Sequence, residues 1–183
     1  MEVGTALGNA LGSDLINGSG TGAPRGVLLD ASVGVTGPVG TSTSLGAQGT
    51  AGQGTDLLNS LWGSLLEPYT RSKAAAFLLR NATLTNIRNL KGTTGDLVGS
   101  QYLAQAPAPF LIDPYVAAEA ANAKSIIAGD WSRVMVRLVN GIRFEQSHDY
   151  AFANDQTTFR AVLRADGALA DASALRWFAN SAT

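Results

Sequence analysis

At 183 residues the chain has room for one domain or one and a fraction, and 45% apolar residues suffice for a core. Thirteen basic residues against fourteen acidic ones give a net charge of -1, so no global field holds nucleic acid, and no basic run supplies a local one. The absence of cysteine excludes disulfides and thiolate metal sites, and no apolar run reaches the roughly 20 residues that span a bilayer.

Charged residues are only 15% of the chain, against about 25% in soluble proteins generally. That predicts a weakly charged surface of the kind that partners cover. The N-terminus, Met1-Glu2-Val3-Gly4, has neither a basic segment nor a continuous apolar one, so no secretion signal is read there.

In chain order, Val3, Leu7, Leu11 and Leu15 recur every fourth residue and predict a short helix over 3–16. Gly4, Gly8 and Gly12 weaken it, at about 1 kcal/mol each. Asn17-Gly18-Ser19-Gly20-Thr21-Gly22 is a turn cluster. Val27-Leu28-Leu29 predicts a short strand, and residues 34–54, rich in Gly, Ser and Thr, predict a mobile or extended surface loop. Leu57, Leu58, Leu61, Trp62, Leu65 and Leu66 form one apolar stripe, predicting a helix over 56–67 capped by Thr55 and ended by Pro68. Trp62 and Leu58 are expected in the core.

Ala74 to Leu79 has the length of a strand. Asn81 then predicts a cap for a helix over 82–91, with Leu84, Ile87 and Leu90 inward and Gly92 as its stop. Residues 93–109 read as loop. Phe110 to Ile112 and Lys124 to Ala128 read as strands. Arg133 to Val139 alternates, Asn140-Gly141 predicts a tight hairpin turn, and Ile142 to Gln146 becomes its return strand. Thr157 to Ala165 and Ala174 to Phe178 complete the strands. Helix, strand and helix in this order imply α+β or α/β packing, and the expected fold is a mixed α+β domain with a central sheet flanked by the 56–67 and 82–91 helices.

The chemistry available is thin. A nucleophilic triad needs a histidine base, and the only histidine, His148, stands beside Asp149, which on a strand points to the opposite face. Glu145, His148, Asp149 and Asp155 are permissive for a metal but not diagnostic, and solvated surface residues are the simpler reading. Gly18, Gly20 and Gly22 lack the strand before and the helix after that a dinucleotide site requires, so they read as turn residues. No phosphate loop or nucleophile elbow is present, and Arg71, Lys73 and Arg80 form no nucleic-acid patch. Neither catalytic, cofactor-binding nor metal-binding residues are assigned, and an enzyme is not expected.

Several segments resemble the major capsid proteins of tailed bacteriophages, the Hong-Kong-ninety-seven-type fold. The stretch from Leu15 through Asn17-Gly18-Ser19-Gly20-Thr21-Gly22-Ala23-Pro24-Arg25-Gly26 to Leu28 resembles the point where that family's spine helix gives way to its axial domain. Phe77 to Lys91 resembles a strand and helix of the family, and Ile126-Ile127-Ala128-Gly129-Asp130-Trp131-Ser132 a strand and turn. Gly141 to Glu145, Tyr150 to Phe152 and Phe159 to Gly167 resemble its closing strands. The resemblance covers most of residues 10–180.

It implies residues 1–17 as the end of a spine helix, 18–155 as an axial domain, and 156–183 as closing strands of a peripheral domain. It also implies a structural subunit that self-associates into pentamers and hexamers of a phage or prophage icosahedral shell. Such a shell is made in the bacterial host cytoplasm and encloses DNA without sequence-specific binding, with no membrane or cofactor. Only residues 1–16 precede the turn cluster, where the family carries an arm, an extended loop and a long helix. The expectation is therefore a monomer or weak oligomer when dilute, rings when concentrated, and no closed shell. An encapsulin-like compartment subunit is the near alternative, and a small α+β ligand-binding domain the distant one.

Overall fold

The computed structural model describes residues 2–183; Met1, the first residue of the expected spine-helix stub, lies outside them. Helix α1, Glu2–Asn17, forms despite its glycines. Gly4 and Gly8 face open space, whereas a Cβ on Gly12 would lie 2.7 Å from the Tyr115 ring, so the small residue lets that ring approach. The helix ends where the Gly18 amide donates to Asp14 at 2.7 Å.

The expected strand at 27–29 is instead one helical turn, α2, Val27–Asp30, with Val27 and Leu28 buried. Three apolar residues carry no period that separates a buried turn from a strand. Strand β1, Ser32–Thr36, follows within what reads as loop. Residues 37–54 contain no helix or strand, but they are pinned rather than loose. Thr41 and Leu45 are buried, Gly54 donates to Leu45 at 2.7 Å, and Thr55 donates its amide to the Gln48 side chain at 2.8 Å.

Helix α3, Thr55–Gly63, starts after Gly54, whose φ of 61° suits glycine; Thr55 is its first residue and not its cap. Pro68 does not end this helix. It opens a separate turn, α4, Glu67–Thr70, where a missing amide hydrogen leaves nothing unpaired. Leu57, Leu58, Leu61 and Leu65 are buried as expected, Leu66 is exposed, and Trp62 is half-buried with its ring 5.2 Å from that of Phe77.

Strand β2, Ala75–Leu79, is buried at every position. Helix α5, Asn81–Arg88, buries Leu84 and Ile87, with Arg80 rather than Asn81 at its cap. A further helix, α6, Val98–Gln105, stands where loop was expected. Gly99 is its key: a Cβ there would sit 1.7 Å from the Ile87 carbonyl oxygen, so only glycine lets α6 close on α5. Strands β3, Phe110–Ile112, and β4, Lys124–Asp130, agree with the sequence reading.

The largest departure is β5, Val134–Ala151. Asn140-Gly141 does not turn the chain. The strand runs on through it, pairing antiparallel with β6, Gln156–Leu169. Val139 faces Arg164 and Ile142 faces Leu163, so residues 140 and 141 bulge out with φ of 55° and 66°. Two extra residues preserve the alternation, so the pattern survives while the turn moves to residues 152–155, where Asp155 has φ 53°. Strand β7, Leu175–Ala179, closes the chain.

Two sheets result: five strands in the order β1-β7-β4-β2-β3, and the β5–β6 ribbon. In the five-stranded sheet the side chains alternate between two cores. Phe77, Leu79, Ile126, Ala128 and Phe178 pack under α3 and α5. Leu78, Ile127 and Leu175 pack on the other face with Ile16, Val27 and Leu28. Coverage on both faces explains why β2 and β4 read as nearly continuous apolar runs.

Candidate interaction surface

The ribbon is anchored at its base. Gly129, at φ 145°, passes so close to β7 that a Cβ would lie 2.1 Å from the Ala174 carbonyl oxygen. Next, Asp130 caps the short turn Trp131–Arg133, accepting from the Ser132 amide at 3.0 Å, the Ser132 hydroxyl at 2.7 Å and the Ser72 hydroxyl at 2.8 Å. Burial pushes the Asp130 carboxyl up, but these bonds and the Arg133 charge outweigh it and hold the group below the usual carboxylate range. The Trp131 indole donates to Ala76 at 3.1 Å. This is what Gly129-Asp130-Trp131-Ser132 does: it turns the chain out of the sheet and into β5.

A second anchor ties β6 to the turn after α1. The Arg25 amide donates to the Asp166 carboxylate at 3.2 Å, and a Cβ on Gly167 would lie 2.6 Å from the Arg25 carbonyl oxygen. The Arg25 guanidinium grips Asp30, with Nε 2.9 and 2.8 Å from the two oxygens. Its hydrogen bond and charge hold the Asp30 carboxyl below its ordinary range. Gly20 and Gly22, at φ 73° and 71°, make the turn, and a Cβ on Gly18 would strike the Pro24 carbonyl oxygen. These glycines thus serve the turn itself.

Beyond these anchors the ribbon is amphipathic. Val134, Val136, Leu138, Ile142 and Phe144 of β5 share a face with Phe159, Ala161, Leu163, Ala165 and Leu169 of β6. The opposite face carries Arg137, Arg143, Glu145, Arg160, Arg164 and Asp166, with Met135, Val139 and Val162 among them. Glu145 lies 2.7 Å from Arg143 and 3.9 Å from Arg160. Among the described residues, cover is found at the base of the apolar face, where Val134 and Leu169 pack into the second core, and beside α1, where Leu163 and Ala165 are half-buried. Farther out, Leu138 is 58% exposed, Phe144 69% and Phe159 75%. Between α1 and β6 lies an open groove of about 460 Å³, with Leu7 and Leu11 on one wall and Leu163 and Ala165 on the other.

The polar residues singled out from sequence do not converge. His148 is exposed on β5, its ring nitrogens 2.9 Å from the Gln146 side chain and 3.2 Å from the Thr157 hydroxyl. Glu145 is committed to arginines, and Asp155 sits at the ribbon turn. Among the described residues no cluster of three or more His, Cys, Asp or Glu side chains suits a metal. Arg71 pairs with Glu67 at 3.5 Å and Arg80 donates to the Pro114 carbonyl at 2.6 Å, so these cations serve local contacts. No helix among the described residues is long and apolar enough to cross a membrane. Sequence reading missed the apolar ribbon face because the Asn-Gly signal cut its alternation in two.

Comparison with known proteins points in one direction. The model of the phage capsid family matches residues 1–179. Among solved structures, the fold is similar to the capsid of an empty GTA particle computed with C5 symmetry, at 20% identity and a TM-score of 0.79, covering 98% of this chain and 70% of that one. It is also similar to chains from Mycobacterium phage Adephagia (13% identity, TM-score 0.69, 98% and 63% covered). A chain from Gordonia phage Cozz is a further neighbour (13% identity, TM-score 0.67, 100% and 62% covered). The chain thus spans 62–70% of the length of these three neighbours. No curated protein matches it. Nothing in these likenesses favours an encapsulin-like compartment or a small ligand-binding domain.

Proposed function

Since the chain belongs to the phage capsid family and is a structural capsid subunit, we propose that the apolar face of the β5–β6 ribbon is the surface through which copies bind one another. The observation that carries this is the row Leu138, Ile142, Phe144 and Phe159, all exposed on one face of a ribbon. A two-stranded ribbon is marginal alone in water, and soluble monomers rarely expose a long contiguous apolar strip. The ion pairs of Glu145, with Arg143 on its own strand and Arg160 across the ribbon, keep the opposite face solvated, so the ribbon presents one sticky face and one wet one.

We assign α1 and the ribbon to a peripheral portion and the five-stranded sheet with its helices to an axial portion. This differs from a boundary at residue 155, because β5 and β6 pair along their length and β7 lies between β1 and β4. Copies joined around an axis by such heterologous contacts close into rings, here pentamers and hexamers of a shell. The shell encloses DNA without reading sequence, as the net charge of -1 and the dispersed cations suit. Synthesis in the bacterial host cytoplasm follows from that role.

The test is light scattering across a concentration series on the chain and on the double variant Phe144→Ser, Phe159→Ser. The chain should gain mass with concentration while the variant, with unchanged circular dichroism, stays small. Equal association by both would sink the ribbon as the contact surface.

A further inference from the structure

The sequence contains Asn-Gly twice, at 17–18 and at 140–141, and the structure treats the two pairs differently. Asn17 is clamped: its side-chain amide donates to Tyr115 at 2.8 Å, and the Gly18 nitrogen is tied to Asp14 at 2.7 Å. The space around Gly18 is filled, with the Pro24 carbonyl oxygen 2.1 Å from where a Cβ would be. Asn140 is open. It is exposed, neither it nor Gly141 has a cross-strand partner in the ribbon register, and a Cβ on Gly141 would meet nothing within 4 Å. No hydrogen bond among the described residues engages the Asn140 side-chain amide. A hollow of about 240 Å³ lies beside the bulge, between Ile142, Val162 and Arg164.

We propose that Asn140 is a site of spontaneous deamidation, which converts it to aspartate or isoaspartate, while Asn17 is protected by the fold. In the chemistry, the Gly141 backbone nitrogen gives its proton to solvent base and attacks Asn140 Cγ. A carbon–nitrogen bond forms, the bond from Cγ to Nδ2 breaks, and Nδ2 takes up a proton and leaves as ammonia. Water then opens the five-membered imide at one of its two carbonyls. Opening at the side-chain carbonyl restores the backbone with an aspartate; opening at the main-chain carbonyl leaves an isoaspartate. The step needs a backbone free to swing and a residue after Asn with no Cβ to block attack, and the bulge supplies both. The product sets a carboxylate among Arg143 and Arg164 at the middle of the ribbon, and isoaspartate adds a main-chain carbon where the bulge already departs from the ladder.

Trypsin separates the two sites, because cleavage at Arg137, Arg143 and Arg25 places Asn140 in peptide 138–143 and Asn17 in peptide 1–25. The dilute chain is held folded in mildly alkaline buffer at physiological temperature and sampled by mass spectrometry, with isoaspartyl methyltransferase labelling as a second readout. Peptide 138–143 should acquire the acid mass and the label while peptide 1–25 does not. In denaturant the two should convert at similar rates. Gly141→Ala should slow conversion at 140 roughly tenfold, since the added methyl hinders the attacking nitrogen; circular dichroism checks that it folds, and Gly141→Ser serves in its place if it does not. A folded chain in which 138–143 stays amide, or in which both peptides convert together, overturns the proposal.

Discussion

The five-stranded sheet and the β5–β6 ribbon are built from similar residues and meet opposite fates. In the sheet, Phe77 and Phe178 are fully buried; in the ribbon, Phe144 and Phe159 are among the most exposed apolar groups. Strand alternation is sound in both. The difference is what lies opposite: the sheet has α3 and α5 on one face and α1 and α2 on the other, while the ribbon row Leu138, Ile142, Phe144 and Phe159 stays exposed among the described residues. Sheet side chains therefore hold the fold, and ribbon side chains are available to hold neighbours. Residue type alone does not distinguish these jobs.

The sharpest way to break this comparison is to truncate one aromatic from each region. Phe77 stacks on Phe110 at 4.6 Å and packs against Trp62, with no exposure. Phe77→Ala should destabilise by about 3–5 kcal/mol through lost burial and a cavity. Phe144→Ala should change stability by no more than about 0.5 kcal/mol, as exposed substitutions do, yet weaken self-association. Urea unfolding of both variants reads the first quantity, and the scattering midpoint reads the second. Equal destabilisation would erase the distinction.

The next effect lies at the joint between the regions. Asp130→Ala removes the acceptor of three hydrogen bonds at a buried position and should cost about 1–3 kcal/mol. The same group sets an acid dependence. Its carboxyl is held below the ordinary value of 3.8 in the fold, so its contribution is complete above that value. It is lost as pH falls through the lower, folded value. Urea midpoints taken downward from pH near 5 should fall more steeply for the chain than for Asp130→Ala; parallel curves would remove Asp130 as the cause.

A smaller effect of opposite sign is expected within the sheet's first core. The Tyr102 hydroxyl is buried without a hydrogen-bond partner among the described residues, and burial pushes its ionisation up to about 12. Tyr102→Phe keeps the ring edge-on to Phe110 and removes the unpaired group, so stability should stay level or rise by about 1 kcal/mol. A clear loss in thermal unfolding would mean that the hydroxyl has a partner in solution.

How much of this was legible in the sequence depends on where the signal was local. The leucine stripe of α3 and the apolar runs of β2 and β4 are one-element patterns, and they gave the α+β core directly. Helix α6 was not legible, because its reason is Gly99 lying against the Ile87 carbonyl, a contact between elements. The ribbon was half legible: the alternation of 134–138 and 157–165 was visible, but Asn140-Gly141 satisfies a hairpin turn and a bulge with the same positive φ. Only pairing with β6 decides between them. The exposed apolar row could have been found by letting the alternation run through Asn-Gly, since Leu138, Ile142 and Phe144 keep the same parity across it.

The smallest effect expected is at His148, and its smallness is informative. The side chain is exposed near the ribbon turn, and its two contacts, to Gln146 and Thr157, are each replaceable by water. His148→Ala should therefore shift stability by no more than about 0.5 kcal/mol. It should also leave the concentration dependence of scattering unchanged, because the exposed apolar row that runs from Leu138 to Phe144 and across to Phe159 does not include it. Isothermal titration with divalent zinc supplies an independent check: with Glu145 engaged by Arg143 and Arg160, no group of ligands among the described residues stands ready to close a site at the ring. Stoichiometric, His148-dependent zinc binding, or a loss of association on removing this one ring, would move the working surface from the ribbon's apolar row to its tip.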